Sequence, residues 1–93
     1  MSEYYLYLIR RNDGALYTGI TTDVKRRFNE HCHTPLAAKA LKGRGPLRLE
    51  FSQAVGDRSR ASKLEYQVKK LSKKQKLALI SGALSLSSLL SSE

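Results

Sequence analysis

The sequence predicts an α+β fold: a three-stranded sheet, mixed or antiparallel, flanked by three helices in the order strand, strand, helix, strand, helix, helix. Three observations carry this. Two β-forming stretches, "YYLYLI" at 4–9 and "LYTGI" at 16–20, are separated by the turn signal "RNDGA". Further on, "LRLEFSQAV" at 47–55 alternates apolar and polar residues as a strand does. Two other stretches carry apolar residues at helical spacing behind capping residues.

In the hairpin, loop length decides which side chains share a face. A two-residue Asp13-Gly14 loop would put Tyr7 and Tyr17 on opposite faces. A three-residue Asn12-Asp13-Gly14 loop, with Gly14 in the left-handed region of a bulge, would put them on the same face. The longer loop is favoured because it yields one apolar and one tyrosine-rich face. Tyr7 then lies opposite Gly19 and diagonal to Tyr17, while Leu6, Leu8, Leu16 and Ile20 line the core-facing side.

Thr22 and Asp23 supply an N-cap for a helix running to about His33. Val24 and Phe28, spaced i, i+4, anchor it to the sheet. Arg27 and His31 have the same spacing beside that stripe, whereas Arg26 points away. Residues 34–46, "TPLAAKALKGRGP", read as a long basic connection that presents Lys39, Lys42 and Arg44. In the third strand Leu47, Leu49 and Phe51 are expected to share one face. Asp57 caps a second helix through Ala61, Leu64, Val68 and Leu71. A third helix, about 73–81, is expected to use Leu77 and Ile80. From Gly82 the chain is Ser/Leu low complexity: a frayed or loosely docked tail, or a few turns of helix. The domain is therefore placed at 1–82 and the tail at 83–93.

Ninety-three residues make one small domain, which hides only ~60–65% of the surface its unfolded chain exposes. Seventeen Lys and Arg against eight Asp and Glu give a net charge of +9. Such an excess points to a polyanionic partner, because a basic face attracts phosphates and releases their counterions. An anionic membrane or the ribosome would answer the same charge. The single Cys32 excludes an internal disulfide and fits a reducing compartment. No secretory leader is expected, since Glu3 interrupts a start that reads as a strand, and no apolar run approaches the ~20 residues of a membrane span. A soluble, cytoplasmic protein is the expectation.

Between Arg58 and Lys76 stand eight basic residues and one acid, Glu65. Flanking the apolar stripe, Glu65 should be partly solvated and should hold its charge in that cationic field. It can pair with Lys69 at i+4, or it can ligate a hard cation such as Mg²⁺, commonly held by one or two carboxylates plus water and substrate phosphate. Arg27 is a lone surface arginine or, with Tyr7, Tyr17 and Glu65, a fork that grips phosphate and stabilises charge on its oxygens. Each tyrosine is a strand-forming residue or a hydroxyl activated by nearby positive charge. The run "HCH" at 31–33 does not suit zinc, because successive helical residues point about 100° apart. His31 is a polar helix-face residue or an assistant base. "KGRG" at 42–45 lacks the spacing of a nucleotide-phosphate loop.

Taken together, "YLY" at 5–7, "YTG" at 17–19, Arg27 in the next helix and Glu65 in a later one resemble the GIY-YIG nuclease superfamily. The likeness is closest to its small single-domain bacterial members, which carry a block similar to "LYTGITTDVKRRFNEH", a basic Ala-Lys segment and a helix like "ASKLEYQVKKL". It covers about residues 4–80. It implies a small α/β sandwich that cleaves phosphodiester bonds with Mg²⁺ or Mn²⁺. By the family pattern Tyr17 acts as general base or orients the attacking water, Tyr7 assists, and His31 shares the proton work. Arg27 stabilises the transition state, Glu65 holds the metal, and Gly19 allows tight packing. The expected partner is DNA, including branched or damaged DNA, met by Arg26, Lys39, Lys42, Arg44 and Lys69. Two departures stand out. Tyr5 replaces a glycine of the first motif, and the asparagine that many family enzymes place near the C-terminus has no counterpart, since the only asparagines are Asn12 and Asn29. Three functions are open on this reading: a DNA endonuclease, a nucleic-acid-binding module of the same fold, and a basic accessory protein.

Overall fold

The first hairpin is closed by Arg11 and Ala15, whose backbones bond at 2.9 Å around a turn in which Gly14 takes φ +88°. That is the three-residue loop, and it sets the register of all that follows. Strand β1 (Tyr4–Arg10) pairs antiparallel with β2 (Leu16–Thr21), Tyr7 facing Gly19 and Ile9 facing Tyr17. A computed structural model describes residues 3–90 of the chain. Helix α1 (Val24–His33) follows, capped by the Asp23 carboxylate, which accepts from the Arg26 N–H. Strand β3 (Arg48–Gly56) then pairs antiparallel with the other side of β1. The sheet order is β2-β1-β3, so β1 is central and the sheet is antiparallel throughout. Helix α2 (Arg58–Lys69) is capped by Asp57, and α3 (Lys73–Ser81) by a reciprocal Ser72–Gln75 capping box.

Both faces of this sheet are buried. On one, Leu6 and Leu8 pack with Val55, Ala61, Leu64 and Val68. On the other, Tyr7 and Ile9 are 2% and 0% exposed and pack with Leu41, Tyr17, Val24 and Phe28. The tyrosine-rich face is therefore a second core under α1, not an open surface. The basic connection supplies its cover: a single 3₁₀ turn at Lys39–Leu41 drives Leu41 into that core, 1% exposed. An apolar residue between two lysine-bearing stretches gave no periodic signal of this.

The strict alternation expected of β3 does not hold. Leu8 faces Phe51 while the next residue, Ile9, faces Leu49, so a bulge at Glu50 shifts the register by one residue. Phe51 thus joins the Leu6/Leu8 core while Leu47 joins the Tyr7/Ile9 core. The bulge lets one strand serve both faces. In α3 the anchor is Leu79, 2% exposed, rather than Leu77, which is 38% exposed; Ile80 packs against the core as expected. Beyond Gly82 the chain forms a short helix, α4 (Leu86–Leu90), and Leu86 is 2% exposed within the Leu6/Leu8 core. The described part of the Ser/Leu tail is docked, because its leucines complete the apolar surface that α2 leaves open.

Candidate active site

Three aromatic rings from three elements meet over β2. Tyr7 of β1, Tyr17 of β2 and His31 of α1 have ring centroids 5.7–6.3 Å apart. The Tyr7 hydroxyl and His31 Nε2 are hydrogen-bonded at 2.9 Å. Gly19 makes the arrangement possible. A Cβ there would collide with the Tyr7 ring and hydroxyl, so the tyrosine lies flat across the glycine.

The protonation of His31 follows from its partners. Its Nδ1 accepts the Ala38 N–H at 3.1 Å, so Nδ1 is bare and the ring proton sits on Nε2. Nε2–H therefore donates to the Tyr7 oxygen, and the Tyr7 hydroxyl keeps its own proton for another acceptor. Burial, with the positive charge of Arg27, lowers the His31 pKa to about 4, so the ring is neutral near pH 7. With both nitrogens hydrogen-bonded, His31 holds the Tyr7 hydroxyl in place.

The Tyr7 hydroxyl is the point at which the other groups are felt. Its pKa is raised to about 12, first by burial and then by Tyr17; Arg27 pulls it down and the Glu65 charge pushes it up. Arg27 is held from the helix side: Nη1 donates to Glu30 Oε1 at 3.0 Å and to the Leu36 carbonyl at 2.9 Å. The same guanidinium bears on the Tyr7 hydroxyl, both as a charge and as a hydrogen-bond donor. Glu65 stands on α2, which packs on β2 and β1. Its carboxylate pairs with Lys69 Nζ at 3.4 Å and keeps 24% of its side chain exposed. The i+4 pair read from spacing is formed, and the partial solvation is as expected.

Among the described residues no three His, Cys, Asp or Glu converge as a metal cluster. A single, partly solvated carboxylate fits a hydrated Mg²⁺ whose other positions are filled by water and substrate phosphate; it does not fit a four-ligand zinc site. The residues assigned to nucleic acid lie on the outside. Arg26, Lys39, Lys42, Arg44 and Lys69 are all exposed. The connection bearing three of them is tied to the hairpin turn through Asn12 N–H to the Arg44 carbonyl (2.8 Å) and Asn12 Nδ2 to the Gly45 carbonyl (3.0 Å).

Two parts of the site escaped sequence reading. Glu30, which braces Arg27, stands three residues after it, a spacing that could have found it. The Ala38 N–H and the Leu36 carbonyl are backbone groups, and no side-chain pattern announces them.

A two-faced antiparallel sheet with paired strand tyrosines, a helix arginine and a carboxylate on the following helix defines a GIY-YIG-type domain. Residues 3–78 match the family model described as the GIY-YIG catalytic domain, and the chain belongs to that family. It is 54% identical over 92 residues to the UPF0213 protein YhbQ of Salmonella arizonae, covering 99% of this chain and 91% of that one. To the UPF0213 protein Ent638_3592 of an Enterobacter species it is 58% identical over 79 residues, 85% of this chain and 76% of that one. Among solved structures it is similar to the solution NMR structure of the UPF0213 protein BH0048 from Bacillus halodurans. The TM-score is 0.55 and the identity 42%, over 85% of this chain and 83% of that one.

Proposed function

We propose that this chain is a metal-dependent endonuclease that hydrolyses phosphodiester bonds in DNA, with low sequence specificity or structure selectivity, in the manner of a repair or recombination nuclease. The observation that supports this reading is the Tyr7 hydroxyl. One buried phenol is bonded to His31, stands 6.3 Å from the Tyr17 ring and feels the charges of Arg27 and Glu65, so four residues from three other elements act on one point.

The chemistry divides among these residues. Tyr7, with its pKa near 12, stays protonated at neutral pH; His31 fills one lone pair of its oxygen and leaves its hydrogen free to position water or a phosphate oxygen. Tyr17, less buried and outside that hydrogen bond, takes the role of general base or water-orienting group. Arg27, braced by Glu30 and Leu36, offers its remaining donors to the equatorial phosphate oxygens, where charge builds in the transition state. Glu65 is the residue that would hold Mg²⁺ or Mn²⁺. When bound, such an ion supplies Lewis-acid stabilisation of the phosphate and the leaving oxygen.

A second reading is favoured by one observation: Glu65 and Arg27 are both engaged internally, with Lys69 and with Glu30 and Leu36. On it, the domain binds nucleic acid and catalyses weakly or not at all. Nicking of supercoiled plasmid with Mg²⁺ separates the two. The expected outcome is nicking by wild type, abolished in Glu65→Ala and Arg27→Ala and strongly reduced in a folded Tyr17→Phe. Activity that survives the first two substitutions would refute the assignment.

A further inference from the structure

The basic connection does more than cover the tyrosine face. Between it and the C-terminal end of α1 lies a cavity of about 420 Å³, within the ~300–1,000 Å³ common for small-ligand sites. Leu41, Pro46 and Leu47 give it apolar walls. Gly43 and Gly45 line it with bare backbone, where a flat ring can come close. Among the described residues that line it, none is Lys, Arg, Asp or Glu.

Positive charge belongs to the same segment but stays outside the cavity. Lys42 and Arg44 alternate with the two lining glycines, and both are exposed. An occupant matched to this layout is flat and uncharged inside and carries negative charge just beyond. A nucleobase on its sugar-phosphate backbone has that distribution, whereas a free phosphate or an acidic side chain would bring its charge inside. The segment is also held before anything binds. Asn12 of the hairpin turn donates to the Arg44 and Gly45 carbonyls at 2.8 and 3.0 Å, and the Arg44 N–H donates to the Leu41 carbonyl at 3.2 Å. Binding there has little loop ordering to offset.

One wall joins the cavity to the candidate active site. His31 lines it, and His31 Nε2 is hydrogen-bonded to the Tyr7 hydroxyl at 2.9 Å. We propose that the cavity receives one unpaired nucleobase of the nucleic-acid substrate, with Lys42 and Arg44 holding the flanking phosphates. The proposal rests on the nuclease reading above and gives it a substrate class: strands with a base outside the double helix, as at a bulge or a single-stranded end. A paired base is stacked within its duplex and must be extruded at a cost before it can enter, so the cavity favours the unpaired base.

Binding without cleavage tests it. Three labelled DNA duplexes are compared by fluorescence anisotropy in buffer free of divalent ions. One is fully paired, one carries a single-nucleotide bulge, and one has an abasic nucleotide in that bulge. The abasic probe keeps the charge of the bulged backbone, so the difference between those two reports the base. Wild type is expected to bind the bulged probe about tenfold more tightly than the abasic one, and the paired probe no better than the abasic one. Gly45→Leu adds bulk at a lining position where a new Cβ would meet nothing nearer than the Leu47 nitrogen at 3.8 Å. It is expected to cut the preference for the base to less than about twofold. Leu47→Ala removes an apolar wall and is expected to lower it about threefold. Leu47 also packs on the Tyr7/Ile9 core, so Gly45→Leu decides the matter if Leu47→Ala unfolds. A wild type that binds bulged and abasic probes equally overturns the assignment, as does a folded Gly45→Leu that keeps the full preference. A wild type that prefers the base but never nicks plasmid with Mg²⁺ ends the nuclease reading and leaves the cavity assignment standing. Nicking without that preference does the reverse.

Discussion

At the scale of single residues, His31 shows how a helix-face position becomes a positioning device. Its spacing four residues from Arg27 fixed the face on which it stands. What fixes its proton is the Ala38 N–H on Nδ1, which would be lost if the ring became cationic. This has a pH consequence with a definite sign. The folded-state pKa of about 4 lies below the unfolded value of 6.5, so between those values the unfolded chain binds the extra proton. The stabilisation is complete above 6.5 and is lost as pH falls towards 4, by on the order of 3 kcal/mol. Urea unfolding at a series of pH values should show that decline in wild type and a flatter profile in His31→Gln. An unchanged slope in the variant would assign the decline to other groups. Residue chemistry also explains Gly19, where any side chain would take the space of the Tyr7 ring.

At the scale of elements, periodicity placed the helices within a residue or two but did not always choose the buried side chain. Both Leu77 and Leu79 lie in α3, and only the second is inside, at 2% against 38% exposure. Which of the two faces the core depends on how α3 is docked, and a count of apolar residues does not contain that. Leu79→Ala should therefore cost about 2–4 kcal/mol in chemical denaturation, and Leu77→Ala under about 1 kcal/mol. Equal costs would mean that α3 is rotated from the orientation described. The β3 strand makes the same point: alternation put Leu47, Leu49 and Phe51 on one face, whereas Phe51 and Leu47 join different cores across the bulge at Glu50 and Leu49 is 37% exposed.

At the scale of the whole molecule, a chain of 93 residues has little apolar surface to spare. It resolves this by covering both faces of a three-stranded sheet, with α1 and the basic connection on one and α2, α3 and α4 on the other. The Ser/Leu segment belongs to that economy, since Leu86 is 2% exposed in the core. Leu86→Ala, read by thermal melting, should lower Tm by at least about 8 °C, from a loss of about 2–4 kcal/mol. A change within a degree or two would mean that Leu86 adds little to the core. The same compactness sets the two helices that carry the candidate site residues on opposite faces, α1 over the Tyr7/Ile9 core and α2 over the Leu6/Leu8 core.

By itself the sequence determined the order of elements, the hairpin register, the family, and the residue types of the candidate site. These are encoded locally, in turn residues, caps and short spacings. Tertiary structure alone decided which leucines are inside, where β3 changes face, and that the tyrosine face is a core. It also decided that Ala38 and Leu36 hold His31 and Arg27 through their backbones. The reason is physical: burial and hydrogen-bond partnership depend on what packs opposite a residue, and backbone donors and acceptors are the same at nearly every position of a chain.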